Sequence, residues 1–108
     1  MQTVIEVVCS KGGSLREAIA GDRRLTRYGL TVLKEKQPGR NPGWTKLRST
    51  DAARPGTINL VWNGATHTLT CRVVNRGAAK PSLVVGDFIY YLMDRHARRL
   101  KLVMILGK

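Results

Sequence analysis

An Asn-Gly dipeptide at positions 63–64 joins two runs of alternating apolar and polar residues, 58–62 and 66–74, and no other pattern in the chain restricts the fold as much. Asn-Gly favours a two-residue β-hairpin turn, because both residues accept the positive φ angles that this turn needs. The pattern therefore predicts an antiparallel hairpin with a defined register. Its cross-strand pairs are Trp62 with Ala65, Leu60 with His67, and Ile58 with Leu69.

The same alternation assigns the two faces of this hairpin, because successive side chains of a strand point to opposite sides. One face carries the three predicted pairs together with Cys71 and Val73, and we expect it to pack against the core. The other face is polar and meets water. Its residues are Asn59, Thr66, Thr68, Thr70 and Arg72.

Three further segments, 3–9, 30–36 and 100–106, are rich in Val, Ile and Leu and predict strands. The last of them is interrupted only by Lys101, so we expect it to be buried. Residues 44–49 predict one more short strand. These strands, with the hairpin, supply the predicted sheet.

Two helices are predicted between the strands. The second covers residues 81–96, where apolar residues recur at helical spacing. The first begins at a Ser-x-x-Glu capping box formed by Ser14 and Glu17, and Gly29 is expected to end it. Its outer side is then basic, with Arg16, Arg23 and Arg27 in line.

The element order β-α-β-β-β-β-α-β indicates an α+β fold with two layers, a mainly antiparallel sheet and two helices. A ferredoxin-like variant is the expected arrangement, and a split barrel with helices is the alternative. Residues 1–108 are expected to form a single compact domain. Residues 37–57 are rich in Pro and Gly and predict a long basic loop or ragged hairpin within it.

The chain is strongly basic. Its 108 residues include 19 Lys and Arg against seven Asp and Glu, a formal net charge of +12. Such an excess attracts polyanions at long range and says little about the fold. No apolar stretch approaches the length of a membrane span, and the first ten residues lack the pattern of a secretory signal. We therefore expect no membrane contact and a cytoplasmic location, with Cys9 and Cys71 reduced.

The loop before the first helix contains Lys11-Gly12-Gly13, which resembles the variant phosphate-binding loops of partitioning ATPases. Residues 15–17 stand where such a loop needs Gly-Lys-Ser/Thr, so nucleotide hydrolysis is not predicted. A simpler prediction remains, in which backbone amides at the helix N-terminus hold a single phosphate. The residues of this predicted contact are Lys11, Gly12, Gly13 and Ser14.

A metal site is not predicted. His67 and Cys71 lie four residues apart on a strand, which places them about 13 Å apart and too far to share one zinc ion. The carboxylates show no paired spacing that would hold catalytic metal ions. We expect neither a metal nor another cofactor.

The second helix offers one candidate surface for nucleic acid. Tyr91, Arg95, Arg98 and Arg99 fall opposite its apolar stripe, which predicts an exposed stripe of one ring and three guanidinium groups. The planar guanidinium of Arg binds phosphate through two hydrogen bonds at once. An exposed ring stacks on an unpaired base.

The central loop and the hairpin offer a second candidate surface. Trp44, Lys46 and Arg48 lie among the Pro and Gly residues of the loop, and Arg72 lies on the polar face of the hairpin. Loops that combine cations with an aromatic ring are suited to a phosphate backbone carrying unpaired bases.

The main hypothesis is a small nucleic-acid-binding module, with RNA or single-stranded DNA favoured because the chain has no helix-turn-helix or zinc-finger pattern. A protein-interaction adaptor for acidic partners is one alternative, and the exposed edges of the sheet allow a homodimer. The other alternative is a metal-independent ribonuclease of toxin type. Its base, acid and phosphate clamp would come from His67, His96, Tyr90, Tyr91 and Arg95.

Overall fold

Within residues 2–35, 39, 43–75 and 81–107, which this computed structural model describes, six strands form one antiparallel sheet and two α-helices pack on one face of it. The strands are β1 (Gln2–Cys9), β2 (Leu30–Lys34), β3 (Trp44–Ser49), β4 (Thr57–Asn63), β5 (Thr68–Val74) and β6 (Leu100–Leu106). The helices are α1 (Leu15–Ala20) and α2 (Pro81–Arg95), and short 3₁₀ helices cover Leu25–Tyr28 and Ala97–Arg99. The strands and α-helices follow one another in the predicted order.

The sheet order is β2-β3-β4-β5-β1-β6, and each neighbouring pair is antiparallel. Strands β2 to β5 form a meander, and α2 then leads from β5 past β1 to β6. These two layers confirm the predicted α+β sandwich. The six predicted strands all lie in this one sheet, but its order does not confirm the ferredoxin-like variant. It is an open sheet with β2 and β6 at its edges, unlike a split barrel.

One face of the sheet forms the core together with the helices. Burying a Leu, Ile, Val or Phe side chain contributes about 1.5–3 kcal/mol, so this shared face is the main source of stability. The predicted apolar face of the hairpin is confirmed for Ile58, Leu60, Leu69, Cys71 and Val73, which are fully buried. Ala65, which was predicted for the same face, is exposed. Other strands and both helices add Ile5, Val7, Leu15, Ile19, Phe88 and Leu92 to the same core.

The turn of the hairpin differs from the prediction. Strand β4 continues to Asn63 and β5 begins at Thr68, so residues 64–67 form a four-residue connection instead of a two-residue turn. The side-chain oxygen of Asn63 accepts a hydrogen bond from the backbone N–H of Ala65 at 3.0 Å. The left-handed conformation falls on His67, with a φ of 52°. Asn63 thus stabilises the connection through its side chain rather than through its own backbone angle.

The register changes with the turn. Ile58 pairs with Val73 rather than with Leu69, a shift of four residues. Because this number is even, every residue within β4 and β5 keeps the face that the sequence predicted for it. The observed pairs are Ile58 with Val73, Leu60 with Cys71, and Trp62 with Leu69.

Helix α1 begins as predicted, with Ser14 as its N-cap, but it ends at Gly21 rather than at Gly29. The carboxylate of Asp22 accepts a hydrogen bond from the backbone N–H of Arg24 at 2.9 Å. Such a local side-chain bond offers the backbone an alternative to continuing the helix. The predicted basic line is therefore wrong, because Arg23 and Arg27 lie beyond the helix that carries Arg16.

Strand β6 has the predicted bounds, but the prediction that it is buried is wrong. It lies at the edge of the sheet beside β1, whereas α1 packs near β3 and β4 and α2 packs near β5. The helix layer therefore leaves β6 uncovered. Its exposed apolar side chains are Leu102, Met104, Ile105 and Leu106.

The predicted strand 44–49 is confirmed as β3, inside the predicted loop 37–57. In the first part of the predicted loop, residues 37, 38 and 40–42 lie outside the described residues. So do residues 36 and 76–80. Among the helices that are described, none has the length and apolar character needed to cross a membrane.

Candidate nucleic-acid interface

The face of the sheet opposite the helices, which we call the open face, carries a group of basic side chains. Lys46 of β3 pairs with Asn59 of β4, and Asn59 pairs with Arg72 of β5. Paired residues of neighbouring strands share a face, so Lys46 and Arg72 stand in one line about 10 Å apart. Arg48 follows Lys46 by two residues on the same face, and Lys34 of β2 pairs with Lys46. We call these four residues the basic row.

Little negative charge opposes the basic row. Among the described strand residues on the open face, the one carboxylate is Glu6, and it already accepts a hydrogen bond from the Thr70 hydroxyl at 3.0 Å. Within the described residues, no member of the basic row forms an ion pair. The side chains of Arg48 and Arg72 are exposed. Their charge is therefore uncompensated and accessible to a polyanion.

The predicted cations near the end of α2 have different surroundings. The Arg95 guanidinium forms an ion pair with Asp22, with Nε 3.2 Å from Oδ2. Arg99 donates a hydrogen bond from Nη2 to the carbonyl of Gly13 at 2.7 Å. Arg98 is exposed. Two of the three guanidinium groups thus bind groups of the protein itself.

The two predicted basic surfaces do not form one continuous row. Arg72 pairs with Val4 on β1, whereas the 3₁₀ helix Ala97–Arg99 leads into Leu100, which pairs with Cys9. Val4 and Cys9 are five residues apart on β1, which corresponds to about 17 Å. The open face and the end of α2 are therefore separate candidate surfaces.

Both aromatic residues predicted to stack on bases are buried. Tyr91 has no exposed surface and lies in the core, where its ring packs at an angle against Tyr28, with centroids 5.2 Å apart. Trp44 precedes Lys46 by two residues on β3 and therefore lies on the open face. It is nevertheless only 2% exposed, so the open face is not accessible at this position. The expectation of an exposed stripe that includes Tyr91 is wrong. This residue belongs to the core, and its ring is covered by Tyr28 of the 3₁₀ helix Leu25–Tyr28. Neither ring offers a free face for a base in this conformation.

Tyr91 instead belongs to a buried polar cluster. Its hydroxyl donates a hydrogen bond to Asp22 Oδ2 at 2.8 Å and lies 2.9 Å from His96 Nε2. The side chains of Asp22 and His96 are 6% and 13% exposed. We call Asp22, Tyr91, Arg95 and His96 the polar cluster. It joins the segment after α1 to the end of α2.

The hydrogen bonds fix the proton arrangement within this cluster. The single hydroxyl proton of Tyr91 is donated to the carboxylate of Asp22. The bond between Tyr91 and His96 then requires Nε2 to donate, because the hydroxyl oxygen has only lone pairs left. Neutral His96 therefore carries its proton on Nε2 and a lone pair on Nδ1.

The pKa values of the cluster follow from burial and from these bonds. Burial raises the pKa of Asp22, but the Arg24 amide, the Arg95 guanidinium and the Tyr91 hydroxyl together hold it below its ordinary value. Burial lowers the pKa of His96, and the positive charge of Arg95 acts in the same direction. Burial and the bond to Asp22 raise the pKa of Tyr91 far above its ordinary value. Near neutral pH the cluster is thus ionised at Asp22 and Arg95 and neutral at His96 and Tyr91.

The predicted phosphate contact before α1 is engaged within the protein. The hydroxyl oxygen of Ser14 accepts a hydrogen bond from the Glu17 amide at 3.2 Å, so one amide of this helix end is already satisfied. The carbonyl of Gly13 receives Arg99, as described above. Lys11 and Gly12 are exposed beside them. A phosphate at this loop stays a prediction, and the short α1 adds little dipole to it.

The described residues offer few side chains for metal binding or for thiol chemistry. Among these residues, no group of three or more His, Cys, Asp or Glu side chains is placed to hold a metal ion. Cys9 and Cys71 are buried free thiols. Burial raises the pKa of both, which keeps them protonated and unreactive near neutral pH.

Comparison of the chain with protein-family models, with curated proteins and with solved structures gave no significant match.

Sequence reasoning missed two residues of these sites. Asp22 is central to the polar cluster, but its partner Tyr91 is 69 positions away and no local pattern connects them. Lys34 joins the basic row only because β2 pairs with β3. Regular alternation after Leu30 and Val32 would have placed Lys34 on the core face, and it pairs with Lys46 only because the register shifts after Val32. Nothing in the sequence indicated this shift or the role of Asp22.

Proposed function

We propose that this protein binds the phosphate backbone of a nucleic acid across the open face of its sheet. Lys46, Arg48 and Arg72 make the contacts, and Lys34 extends them toward the edge. One observation supports this proposal above all. Basic residues from separate strands share one solvent-facing surface, without ion-pair partners among the described residues, while the helices cover the other face.

The proposed ligand is single-stranded RNA or DNA. The exposed part of a sheet face can accommodate an extended strand, and the described α-helices, which could enter a duplex groove, pack on the other face. No described aromatic ring lies exposed on it for base stacking. Binding is therefore carried by phosphates, with little preference among sequences and a strong dependence on salt.

Fluorescence anisotropy with labelled oligouridine over a range of salt concentrations tests the proposal. Three neutralised phosphates on a single strand give a slope of log affinity against log salt of about −2. The triple variant Lys46→Gln, Arg48→Gln, Arg72→Gln should lose most of the affinity and nearly all of this slope. A matched control removes the same charge from exposed residues of the helix layer: Arg23→Gln, Arg24→Gln, Arg27→Gln.

Three outcomes contradict the proposal. Equal loss in both triple variants means that only the net charge matters. Undiminished binding by the open-face variant means that the nucleic acid contacts another surface. The single variant Arg98→Gln then tests whether that surface is the end of α2. Tight binding to an acidic protein without binding to RNA or DNA at low salt supports an adaptor instead.

A second candidate function, metal-independent RNA cleavage, is favoured by one observation. Three residues predicted for it, Tyr91, Arg95 and His96, come together in the polar cluster with Asp22. Nδ1 of His96 retains a lone pair, which is what a base needs to accept the proton of a ribose 2′-hydroxyl. Cleavage of labelled RNA in the presence of EDTA, lost in His96→Gln, is the expected result. A wild-type protein that leaves RNA intact excludes this function.

A further inference from the structure

We infer that β6 pairs antiparallel with β6 of a second copy of this chain, which joins two sheets into one across a twofold axis. The observation that carries this inference is an apolar strand at a free sheet edge. It is independent of the proposed nucleic-acid binding, because β6 contributes nothing to the basic row.

The exposure of β6 is high on both of its faces. Leu102, Met104 and Leu106 point to the open face with their β1 partners, and they are 51%, 41% and 52% exposed. Ile105 points to the helix side opposite Ile5 and is nevertheless 54% exposed, because neither described α-helix reaches this edge. A partner that lies against only one face of the sheet leaves the other side chains in water. A strand added at the edge contacts both sets at once, because its own side chains alternate between the faces.

The edge also presents backbone groups that have no other described strand beside them. β6 pairs with β1 on one side only. Alternate N–H and C=O groups of an edge strand point outward and favour another strand there. Natural edges are usually protected by charge, Pro or a bulge. In β6 the register shifts at Lys101, near the beginning of the strand, whereas residues 102–106 contain only apolar residues and pair regularly with β1. The one charge within the strand is Lys101, near its beginning.

The charge distribution selects an antiparallel arrangement of two identical strands. Arg98, Arg99 and Lys101 lie at the N-terminal end of β6, and no charged residue follows until after Gly107. A parallel pair would place these cations side by side. An antiparallel pair separates them by about the length of the strand, roughly 20 Å, which exceeds the screening length of about 10 Å at moderate salt. Each group of three cations then lies beside the apolar end of the other strand, where Lys108 is the nearest charged residue in the sequence.

A second copy fits this edge better than an acidic partner. An acidic segment would find cations only at the beginning of β6, whereas the remaining length needs an apolar strand of similar length. The second β6 provides that strand, and the twofold axis makes each apolar contact occur twice. The interface is small, below the roughly 1,200 Å² of standard interfaces, so association is expected to be weak and concentration-dependent.

Sedimentation velocity over a wide range of protein concentration, without nucleic acid, tests the inference. We expect a monomer–dimer equilibrium that strengthens as salt rises from about 0.1 to about 0.5 M, because salt screens the repulsion between two basic chains. Met104→Lys should weaken the dimer at least about tenfold, because it removes an apolar contact from each strand. Met93→Lys is the matched control. It makes the same chemical change at a side chain that is 60% exposed on α2.

Hydrogen exchange gives a second measurement that does not depend on a variant. Amides of β6 should become more protected as the protein concentration rises, while those of β2 at the opposite edge stay unchanged. A protein that remains monomeric at every concentration overturns the inference. A dimer that resists Met104→Lys, or that protects no amide of β6, overturns it as well, because such a dimer uses another surface.

Discussion

The hydroxyl of Tyr91 donates a hydrogen bond of 2.8 Å to the carboxylate of Asp22, which joins α2 to the segment after α1 across 69 positions of sequence. The same carboxylate receives Arg95, and the same hydroxyl contacts His96. A buried polar group is stable only when its hydrogen bonds are satisfied. A helical projection places Tyr91, Arg95 and Arg98 on one solvent-facing stripe. In the structure, Tyr91 and Arg95 form internal contacts instead, and Arg98 remains exposed.

The first prediction concerns the hydroxyl of Tyr91. Tyr91→Phe keeps the buried ring and removes its bonds to Asp22 and His96, which leaves buried polar groups with fewer partners. We expect the free energy of unfolding in urea to fall by about 1–3 kcal/mol. Tyr90→Phe is the control, because Tyr90 is 65% exposed and should change stability by less than about 0.5 kcal/mol. Equal stability of the two variants would mean that the cluster contributes nothing to the fold.

The second prediction concerns pH. Burial lowers the pKa of His96 in the folded protein, whereas an unfolded chain binds this proton with a pKa of about 6.5. As pH falls through about 6.5, the unfolded state gains protons first, so the free energy of unfolding decreases until the folded pKa is reached. Stability is therefore greatest above this window. The pKa of Asp22 is also low, but its contribution is lost only below about pH 4.

Urea unfolding at about pH 7.5 and about pH 5.5 measures this decrease. His96→Gln removes the titrating ring and keeps a side chain that can donate to Tyr91, so its stability should vary less across the window. A decrease of the same size in His96→Gln and in the wild type would assign the effect to other groups.

The third prediction concerns the loop before α1. Gly12 has a φ of 152°, and an added Cβ would lie 3.3 Å from the guanidinium carbon of Arg99. Gly12→Ala therefore strains the backbone and displaces Arg99 from Gly13, with an expected loss of about 1–3 kcal/mol. Gly13→Ala is the neighbouring control, because no atom lies within 4 Å of its added Cβ. Thermal unfolding compares the two variants, and a loss confined to Gly13→Ala would contradict this account.

The fourth prediction separates structural cations from exposed ones at the end of α2. Arg95→Gln removes the ion pair with a nearly buried Asp22 and should lower the urea midpoint. Arg98→Gln removes an exposed charge and should leave the midpoint unchanged. If both variants unfold at the wild-type midpoint, the pair between Arg95 and Asp22 is not a stabilising contact.

The hairpin illustrates how a wrong register can still give the correct faces. Asn63 and Gly64 predicted a two-residue turn, and the protein forms a four-residue connection at the same place. The pairing moved by four residues, and Ile58 and Leu60 remained in the core. The alternation of apolar residues determines which face of a strand each side chain occupies. The position and length of the turn determine which residue of the neighbouring strand it pairs with. The first property is local, and the second depends on neighbours such as β1.

Local sequence patterns could not predict that the last strand is exposed or that Tyr91 is buried. Leu102 and Ile105 belong to a run as apolar as any core strand, yet they are exposed because their strand lies at an edge away from both described α-helices. Tyr91 is one of three Tyr residues, and its ring is enclosed by the rings of Tyr28, Phe88 and His96. Both outcomes depend on which elements become neighbours, and that order is not encoded in any single segment.

The sequence by itself determined the order of the strands and helices, the core face of the hairpin and the cationic character of the protein, because period, turn residues and charge are properties of short segments. The tertiary structure decided which cations gather on the open face and which form internal ion pairs. It also decided that β6 stays exposed and that Asp22 meets Tyr91. These relationships connect residues distant in sequence, and they arise only when one sheet order places particular strands and helices side by side.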